Sequence, residues 1–403
     1  MAQNGGLALK VVELCSFAAG PYCTRLLADF GAEVVKVERP GVGDESRTRG
    51  PFLNDDPHPD TSGMYLYLNT GKLGVTLDIE TPDGREIFRK LIADADVLVE
   101  DRAPGEMERL GLGYAALSAI NPRLIMTSIT PFGQDGPYSD FKAYHLNLYH
   151  ASGAGYMLPM NSTSLTREPV RGPGFLGEYD GGMSAAVATM AAVYWRRHGG
   201  TGQHIDVSKQ QSMMHLERSQ LRRFIDSGTS PNRTGMGRLL ESLVQCRDGN
   251  YVILILSSQK QWEGLFKAMG EPEWGAQPPF DTQAGRSAHY PELRDRLAAW
   301  AADYDAQDVF EMVQAYRSAC APAYTAEQFF QSPQTVAREY LTEYEHPVAG
   351  TLRHPGLPYK FSNMPEVERR PAPQLGEHNE DVLVERLDYT RQDLVRLKQA
   401  GVI

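Results

Sequence analysis

The stretch LKVVELCSFAAGPYCTRLLADFGAEVVKVERP, residues 9–40, decides the fold class. Its first six residues are a short apolar run rich in Val and Leu, which is typical of a buried strand. Gly20 and Pro21 then open a pattern with helical spacing that ends at Gly31. A second Val-rich run stops at Pro40 and predicts a second strand. Strand, helix and strand in this order indicate an α/β domain built around a mostly parallel sheet.

The same alternation continues through the first 130 residues. Thr81 is a predicted N-cap, and Pro82 occupies the first position of a helix predicted over residues 81–95. Three further apolar runs predict strands at residues 73–79, 95–101 and 123–130. The sequence therefore supplies enough strands for an open α/β sheet.

The second half of the chain has a different composition and a different pattern of predicted elements. A linker rich in Gly, Pro and Ser is predicted at 227–237, and Asp248-Gly249 predicts the turn of a short hairpin. Amphipathic helices follow this hairpin, which indicates a smaller α+β domain. The Pro-rich segment after residue 340 is expected to be extended and wrapped over other elements, before a last helix at 391–400.

Composition excludes several classes of protein. The 403 residues carry a net charge of −11, so general binding of nucleic acid or of acidic membranes is not expected, although a local basic pocket can still hold an anion. Four cysteines without a C-x-x-C spacing do not form a disulfide framework or a thiolate zinc site. The longest uncharged apolar stretch is too short to span a bilayer, and no signal peptide is recognised. A cytoplasmic protein is expected.

The segment GEYDGGM, residues 177–183, is the best candidate for a site. It places Glu178 and Asp180 in a predicted Gly-bounded turn just before an apolar helix. Helix capping alone would explain Asp180, because carboxylates gain from the dipole at a helix N-terminus. The two glycines that follow also allow a backbone or a ligand to approach closely. A carboxylate held there can act as a nucleophile or a base.

Six stretches in order resemble one family across nearly the whole chain. The chain is similar to the class III CoA-transferases (CaiB/BaiF type), which also include the α-methylacyl-CoA racemases. The similar stretches are VVELCSFAAGPYCTRLLADFGAEVVKVERPGVGDESR (11–47), YLNTGKLGVTLDIETPDGREIFRKLIADADVLVED (67–101), APGEMERLGLGY (103–114), INPRLIMTSITPFGQDGPY (120–138), TGQHIDVSKQQSM (201–213) and LGEHNEDVL with the closing GVI (375–383 and 401–403).

This resemblance implies an architecture. A Rossmann-like large domain, built from both ends of the chain, is expected together with a smaller α+β domain. The boundaries predicted here are 1–226 for the first part of the large domain, 227–330 for the small domain and 331–403 for the return segment. The resemblance also implies an interlocked homodimer. No permanently bound cofactor and no metal are expected, because CoA or an acyl-CoA binds as a substrate.

The resemblance also implies the chemistry. Transferases of this family use an aspartate after a glycine as the nucleophile on the acyl-CoA thioester, and they pass through a mixed anhydride and an enzyme thioester to a free carboxylic acid. Glu178 stands at that position here, so Glu178 is the favoured nucleophile. Asp180 is the alternative nucleophile, and a non-catalytic CoA-binding subunit is a further alternative.

His145 supports a different reaction class. The racemases pair a carboxylate with a histidine in a segment like H-x-x-N-Y, and YHLNLYHASG (144–153) places His145 at a similar position. A histidine that titrates near neutral pH suits exchange of the proton on the α-carbon of an acyl-CoA. An acyl-CoA racemase or epimerase that uses His145 with Glu178 or Asp180 is therefore the alternative function.

The resemblance also suggests where CoA binds. Its phosphates require cations and amide donors. Arg39 after the second strand matches a family position near the adenine and phosphates, and Lys72 and Arg109 lie in matched stretches. The loop of Ser16, Phe17 and Ala18 follows the first strand, at the edge where open α/β sheets bind ligands.

Overall fold

The computed structural model describes residues 6–159, 162, 164–216, 218–233, 241–364, 367 and 370–403. Its main sheet is parallel, and the strands lie side by side in the order β3-β2-β1-β4-β5-β6. These strands are β1 (Lys10–Leu14), β2 (Glu33–Glu38), β3 (Lys72–Thr76), β4 (Val97–Glu100), β5 (Ile125–Thr130) and β6 (Gln203–Ser208). This order is the one found in dinucleotide-binding doubly wound folds, in which ligands bind beyond the carboxyl ends of the strands.

Helices surround this sheet and also build the second half of the chain. They are α1 (Ala19–Asp29), α2 (Gly63–Leu68), α3 (Pro82–Ala93), α4 (Glu106–Arg109), α5 (Tyr114–Ile120), α6 (His145–Ala151), α7 (Leu176–Arg197), α8 (Lys209–Leu216), α9 (Arg218–Ser227), α10 (Gln259–Ala268), α11 (Gln283–Ala288), α12 (Tyr290–Ala301), α13 (Ala306–Ala315), α14 (Ala326–Gln331), α15 (Pro333–Ala337), α16 (Asn379–Leu383) and α17 (Arg391–Gln399). Short 3-10 turns lie at Glu45–Thr48, Leu53–Asp55, Ala154–Met157 and Glu273–Ala276.

Both faces of the sheet are covered, as a parallel sheet requires. On one face, apolar side chains of α3, α5, α16 and α17 pack on the strands, with Phe88 and Leu397 among the buried residues. On the other face, α1 and α7 contribute Leu27, Ala185 and Val193. The central strands β1, β2 and β4 are therefore rich in buried Val and Leu, which is why they could be recognised in the sequence.

The local predictions for the first domain are confirmed. Each predicted strand overlaps an observed one, and α1 ends just before Gly31, whose φ of +91° suits a helix stop. The side chain of Thr81 accepts a hydrogen bond from the backbone N–H of Gly84 at 3.0 Å, so Thr81 is the N-cap of α3. The mixed α/β class is thus confirmed.

One local prediction is wrong. The predicted turn around Glu178 and Asp180 is helical, because α7 begins at Leu176. The tail after residue 340 begins with extended backbone, as predicted, since β10 (Leu341–His346) and β11 (Gly350–Pro355) form a two-stranded sheet. The chain then rejoins the main sheet. The N–H of Asp78 donates to the carbonyl of Val402 at 2.8 Å.

By packing, the described chain forms two compact units. The first comprises 1–158, 169–230 and 342–403, and the second comprises 159–168 and 231–341. The boundaries expected from the sequence, after residues 226 and 330, stay a prediction. Residues 234–237 of the predicted linker lie outside the described residues.

The second unit has its own sheet and core. Its antiparallel strands are β7 (Glu241–Gln245), β8 (Tyr251–Ile255) and β9 (Ala319–Pro322), in the order β7-β8-β9. Helices α10, α12 and α13 pack their apolar sides around Trp262 and Leu297. The hairpin predicted at Asp248-Gly249 is confirmed as the β7–β8 connection.

Candidate active site

The loop after β1 lies at the carboxyl edge of the sheet and is held by carboxylates of neighbouring loops. The N–H of Ser16 donates to Oδ2 of Asp101 at 2.9 Å, and the N–H of Phe17 donates to Oδ1 of Asp44 at 3.0 Å. Phe17 has a φ of +69°, an uncommon conformation for a bulky residue. Ala18 is fully buried at the start of α1. The two hydrogen bonds stabilise this strained turn.

Glu178 lies in the first turn of α7 and is buried, with 3% of its surface exposed. Nζ of Lys209 lies 3.0 Å from Oε1 and 3.0 Å from Oε2 of this carboxylate. Lys209 is the first residue of α8 and follows β6 directly. The helix dipole and the ammonium both favour a negative charge here. The buried carboxylate is thus held by an ion pair that contacts both of its oxygens.

Two glycines of α7 make room for close neighbours. A Cβ at Gly181 would lie 2.8 Å from Cγ of Lys209, and a Cβ at Gly182 would lie 2.4 Å from the carbonyl oxygen of Ala19. The glycines therefore allow both a lysine stem and the backbone of α1 to pack against α7. The backbone approach expected from the sequence is confirmed.

Aromatic side chains join the β1 loop to the start of α7. The rings of Phe17 and Phe175 are 5.1 Å apart, edge to face. Phe175 and Tyr179, one turn apart, line a mostly apolar cavity of about 490 Å³ together with Met64 and Tyr67. The segment that carries Glu178 thus borders a space large enough for an organic group.

His145 begins α6 and is buried beside the same segment. Its Nδ1 accepts a hydrogen bond from the N–H of Gly177 at 3.3 Å. A ring nitrogen that accepts an N–H carries no proton itself, so the neutral ring carries its proton on Nε2. Nε2 is buried and has no hydrogen-bond partner among the described residues. Burial lowers the pKa of His145 despite the opposing charge of Glu178, so the ring is a neutral donor.

Asp101 adds a second carboxyl group to this edge. Burial raises its pKa to about 7, although the Ser16 N–H and the positive charge of Lys209 act in the opposite direction. Lys209 therefore acts electrostatically on both Glu178 and Asp101. Perturbed groups that converge on one edge of a sheet are typical of a functional site.

The other predicted catalytic carboxylate points elsewhere. Asp180 is half-buried on α7, two residues after Glu178. Residues two apart on an α-helix lie about 200° apart around its axis. The structure thus brings His145 and Glu178 together, whereas Asp180 faces another side of the helix.

The three predicted CoA-binding cations have different surroundings. Arg39 is exposed and follows the last residue of β2, at the carboxyl edge of the sheet. Arg109 is also exposed, but its Nη2 lies 2.9 Å from Oε1 of Glu80. Lys72 is fully buried, and its ammonium contacts other groups of the protein in place of a phosphate.

Lys72 belongs instead to a buried network of charges under the β1 loop. Its Nζ lies 2.8 Å from Oε2 of Glu13 and donates to the carbonyl of Pro21 and to Oδ1 of Asn69. Lys36 contacts the other oxygen of Glu13 at 2.7 Å and also Oδ2 of Asp44 at 2.6 Å. This network connects β1, β2 and β3 to the loop that holds Phe17.

Comparison with known proteins identifies the family. The sequence profile of CoA-transferase family III matches residues 8–379. The chain belongs to CoA-transferase family III. It is 31% identical over 400 residues to the succinyl-CoA–D-citramalate CoA-transferase of Chloroflexus aurantiacus, and the alignment covers 98% of this chain and 97% of that protein. It is 30% identical over 428 residues to the formyl-CoA:oxalate CoA-transferase of Afipia carboxidovorans, and this alignment covers 100% of this chain and 97% of that protein.

Solved structures agree with this assignment. A CaiB/BaiF family protein from Brucella suis superposes with a TM-score of 0.84 at 29% identity, over 95% of this chain and 100% of that one. A hypothetical protein from Mycobacterium tuberculosis superposes with a TM-score of 0.78 at 27% identity, over 93% of this chain and 99% of that one. This family III chain thus has the fold of the CaiB/BaiF proteins, and CoA thioesters are the substrate class of its relatives.

Sequence analysis did not identify Lys209 or Asp101 as part of this family III site. Lys209 lies in the stretch TGQHIDVSKQQSM, which was recognised, but nothing in that stretch indicates contact with a residue 31 positions earlier. A cation directly after the last strand of the sheet was the only available signal. Among the described residues, no group of three or more His, Cys, Asp or Glu side chains is placed to hold a metal ion, and no helix is long and apolar enough to cross a membrane.

Proposed function

We propose that this family III protein transfers CoA from an acyl-CoA to a free carboxylic acid and that Glu178 is the nucleophile. The observation that carries the proposal is the buried Glu178 carboxylate at the start of α7, with Lys209 on both of its oxygens. Burial removes competing water, and the ion pair keeps the anion in one orientation. The cavity lined by Phe175 and Tyr179, which flank Glu178 in the sequence, offers room for an organic group.

The proposed reaction passes through three covalent states. One Glu178 oxygen attacks the thioester carbonyl carbon, the C–S bond breaks, and CoA leaves as a thiolate, which gives a mixed anhydride. The thiolate then attacks Cδ of Glu178, releases the donor acid as a carboxylate and gives an enzyme thioester. The acceptor carboxylate attacks Cδ of this thioester and expels the thiolate, which gives a second mixed anhydride. The thiolate finally attacks the acceptor carbonyl carbon, and the bond from that carbon to the Glu178 oxygen breaks, which frees the Glu178 carboxylate. Each step exchanges one bond for another without an external oxidant or reductant.

His145 supports transfer more than epimerisation. A base that removes an α-proton through Nε2 needs a free lone pair on that nitrogen, and the Gly177 N–H on Nδ1 leaves the neutral ring protonated at Nε2. In the proposed reaction this N–H donates to the thioester carbonyl oxygen, which becomes negative during attack. Epimerisation by His145 and Glu178 stays the second candidate, because the two residues do lie together.

Covalent capture tests the proposal. The protein is incubated with succinyl-CoA or formyl-CoA, treated with hydroxylamine or borohydride, and digested for mass spectrometry. We expect the modified peptide to carry its label on Glu178. Glu178→Gln is expected to lose the label and the transfer activity while still binding CoA, whereas Asp180→Asn keeps both.

Three outcomes would contradict the proposal. A label on Asp180, or full transfer activity in Glu178→Gln, would assign the nucleophile elsewhere. Exchange of the α-proton of an acyl-CoA in D₂O, without any label, would instead support epimerisation. Binding of CoA with neither label nor exchange would support a non-catalytic subunit.

A further inference from the structure

Lys209 touches the two oxygen atoms that the proposed reaction uses. Its Nζ lies 3.0 Å from each oxygen of Glu178, and its side chain is only 13% exposed. A bidentate contact leaves one oxygen in contact with the ammonium after the other has formed a bond to an acyl carbon. The contact can therefore persist in the covalent intermediates as well as in the resting enzyme.

Helix α7 is shaped to receive the lysine. Glu178 and Gly181 lie on the same face of the helix, three residues apart. Any side chain at position 181 would meet the lysine stem, because a Cβ there lies 2.8 Å from Cγ and 3.4 Å from Cδ of Lys209. The glycine thus forms a groove that directs the lysine stem toward the carboxylate of Glu178.

We propose that Lys209 is a catalytic residue that stabilises the oxyanion formed on Glu178 itself. This inference rests on the proposed function. When the CoA thiolate attacks Cδ of the Glu178 anhydride, the carbonyl oxygen of Glu178 becomes negatively charged in the tetrahedral intermediate. The ammonium of Lys209 donates a hydrogen bond to this oxygen. The intermediate then collapses, the bond from Cδ to the bridging oxygen breaks, and the donor acid leaves as a carboxylate.

The same contact serves the second half of the reaction. The acceptor carboxylate attacks Cδ of the enzyme thioester, and the negative charge forms on the same Glu178 oxygen. Lys209 keeps its proton throughout, so no proton transfer is needed in either half. An oxyanion-stabilising group is normally directed at the substrate, whereas here it is directed at a carbonyl group of the enzyme. Removal of one such donor lowers the rate by about 10²–10³-fold.

Lys209→Ala tests the inference. The rate of hydroxylamine capture at Glu178 is measured in single turnovers with succinyl-CoA or formyl-CoA, alongside kcat and KM for overall transfer. We expect the capture rate and kcat to fall by about 10²–10³-fold, with KM for the acyl-CoA changed by less than about threefold. Methylammonium ions added to the variant are expected to restore the rate at least tenfold, because they supply the missing donor in the space that the stem vacates.

A matched control comes from the same helix. Gln211 is exposed on α8, two residues from Lys209, so Gln211→Ala should leave the capture rate within about threefold of the wild type. Gly181→Ala keeps the charge of Lys209 but displaces its stem, and a loss of at least tenfold is expected. Lys209→Arg should retain part of the activity that Lys209→Ala loses.

The outcomes separate the two proposals. If the wild type is labelled at Glu178 and folded Lys209→Ala reacts at the wild-type rate, Lys209 is not catalytic and the nucleophile assignment stands. The inference would also be overturned if Lys209→Ala has a low capture rate that methylammonium does not restore and if Lys209→Arg has the same low rate. If Lys209→Ala does not fold, wild-type rates in both Lys209→Arg and Gly181→Ala would overturn it. An unlabelled Glu178 in the wild type would contradict the proposed function itself.

Discussion

At the scale of single residues, Glu178 shows how a flexible carboxylate side chain is held in one orientation. A glutamate has one more rotatable bond than an aspartate, so its carboxylate needs more external contacts to keep a single orientation. Lys209 supplies these contacts on both oxygens, and burial to 3% exposure removes competing water. Shortening the side chain should therefore matter. Glu178→Asp is expected to lower kcat by about 10²-fold, since a shift near 1 Å has that effect.

Of the three cations that the sequence predicts for CoA binding, we propose Arg39 as the contact of the CoA phosphates. It is exposed at the carboxyl end of β2, whereas Arg109 already pairs with Glu80. We expect Arg39→Ala to raise KM for acyl-CoA by about tenfold with little change in kcat, because one charge-assisted hydrogen bond is worth about 1.5–3 kcal/mol. Steady-state kinetics and calorimetric titration with CoA measure both effects. The same substitution at Arg109 is the comparison, and a larger KM effect there would reverse the assignment.

Residue types predicted some site positions and missed others for physical reasons. Glu178 and His145 stood in recognisable local patterns, and the structure brings them together. Lys72 also stood in a matched stretch, but its ammonium forms a buried ion pair with Glu13. No local sequence pattern indicates this ion pair. The role of Lys209 depends on the contact between α7 and α8, so it required the tertiary structure.

At the scale of elements, strands were easier to predict than the start of α7. Strands buried on both faces, such as β1 and β4, are short runs rich in Val and Leu, which give a clear signal. The three glycines in GEYDGGM favoured a turn, because glycine weakens helices. In the structure, packing of Gly182 against Ala19 compensates for this local preference. Tertiary contacts thus override propensity where two helices approach closely.

Gly182 is expected to be essential for the packing of α1 on α7. A Cβ there would lie 2.4 Å from the carbonyl oxygen of Ala19 and 3.3 Å from Cβ of Tyr22. Since that oxygen belongs to the backbone, Gly182→Ala should lower the free energy of unfolding by about 1–3 kcal/mol. Urea unfolding followed by circular dichroism measures the change. Glu86→Ala, at an exposed position of α3, should change the free energy of unfolding by less than about 0.5 kcal/mol. Equal changes in the two variants would contradict the proposed role of Gly182 in packing.

At the scale of the whole molecule, buried charges connect the sheet to the loop that carries Phe17. Burial alone would raise the pKa of Glu13, but the ion pairs with Lys36 and Lys72 outweigh it and lower the pKa to about 2. In the unfolded chain this carboxyl titrates near its ordinary value of 4.5. Its contribution to stability is therefore complete above about pH 4.5 and is lost as the pH falls toward 2.

Glu13→Gln should separate this contribution from the rest of the molecule. Removing one partner of a buried pair costs about 3–5 kcal/mol, so the variant should be less stable at pH 7. Its disadvantage should shrink as the pH falls from about 4.5 to 2, because the wild type then loses the same charge. Urea unfolding at a series of pH values measures this difference. Glu80→Gln, at an exposed ion pair, is the control, and a pH-independent difference for Glu13→Gln would contradict the argument.

The path of the chain bears on the predicted interlocked homodimer. The first compact unit contains residues near both ends of the chain, and within it the N–H of Asp78 donates to the carbonyl of Val402. If two such chains are interlocked, as the resemblance implies, separating them requires the return segment to detach. That step would expose buried residues such as Val382 and Leu397.

Subunit exchange tests this prediction. We expect a native mass twice that of the chain by light scattering, and tagged and untagged dimers mixed under native conditions should not exchange subunits over days. Exchange should begin only at urea concentrations that unfold the first unit, because an interlocked dimer dissociates through unfolding. An ordinary surface dimer would exchange on dilution alone, at a rate set by its dissociation constant. A monomer, or rapid subunit exchange in native buffer, would show that the two chains are not interlocked.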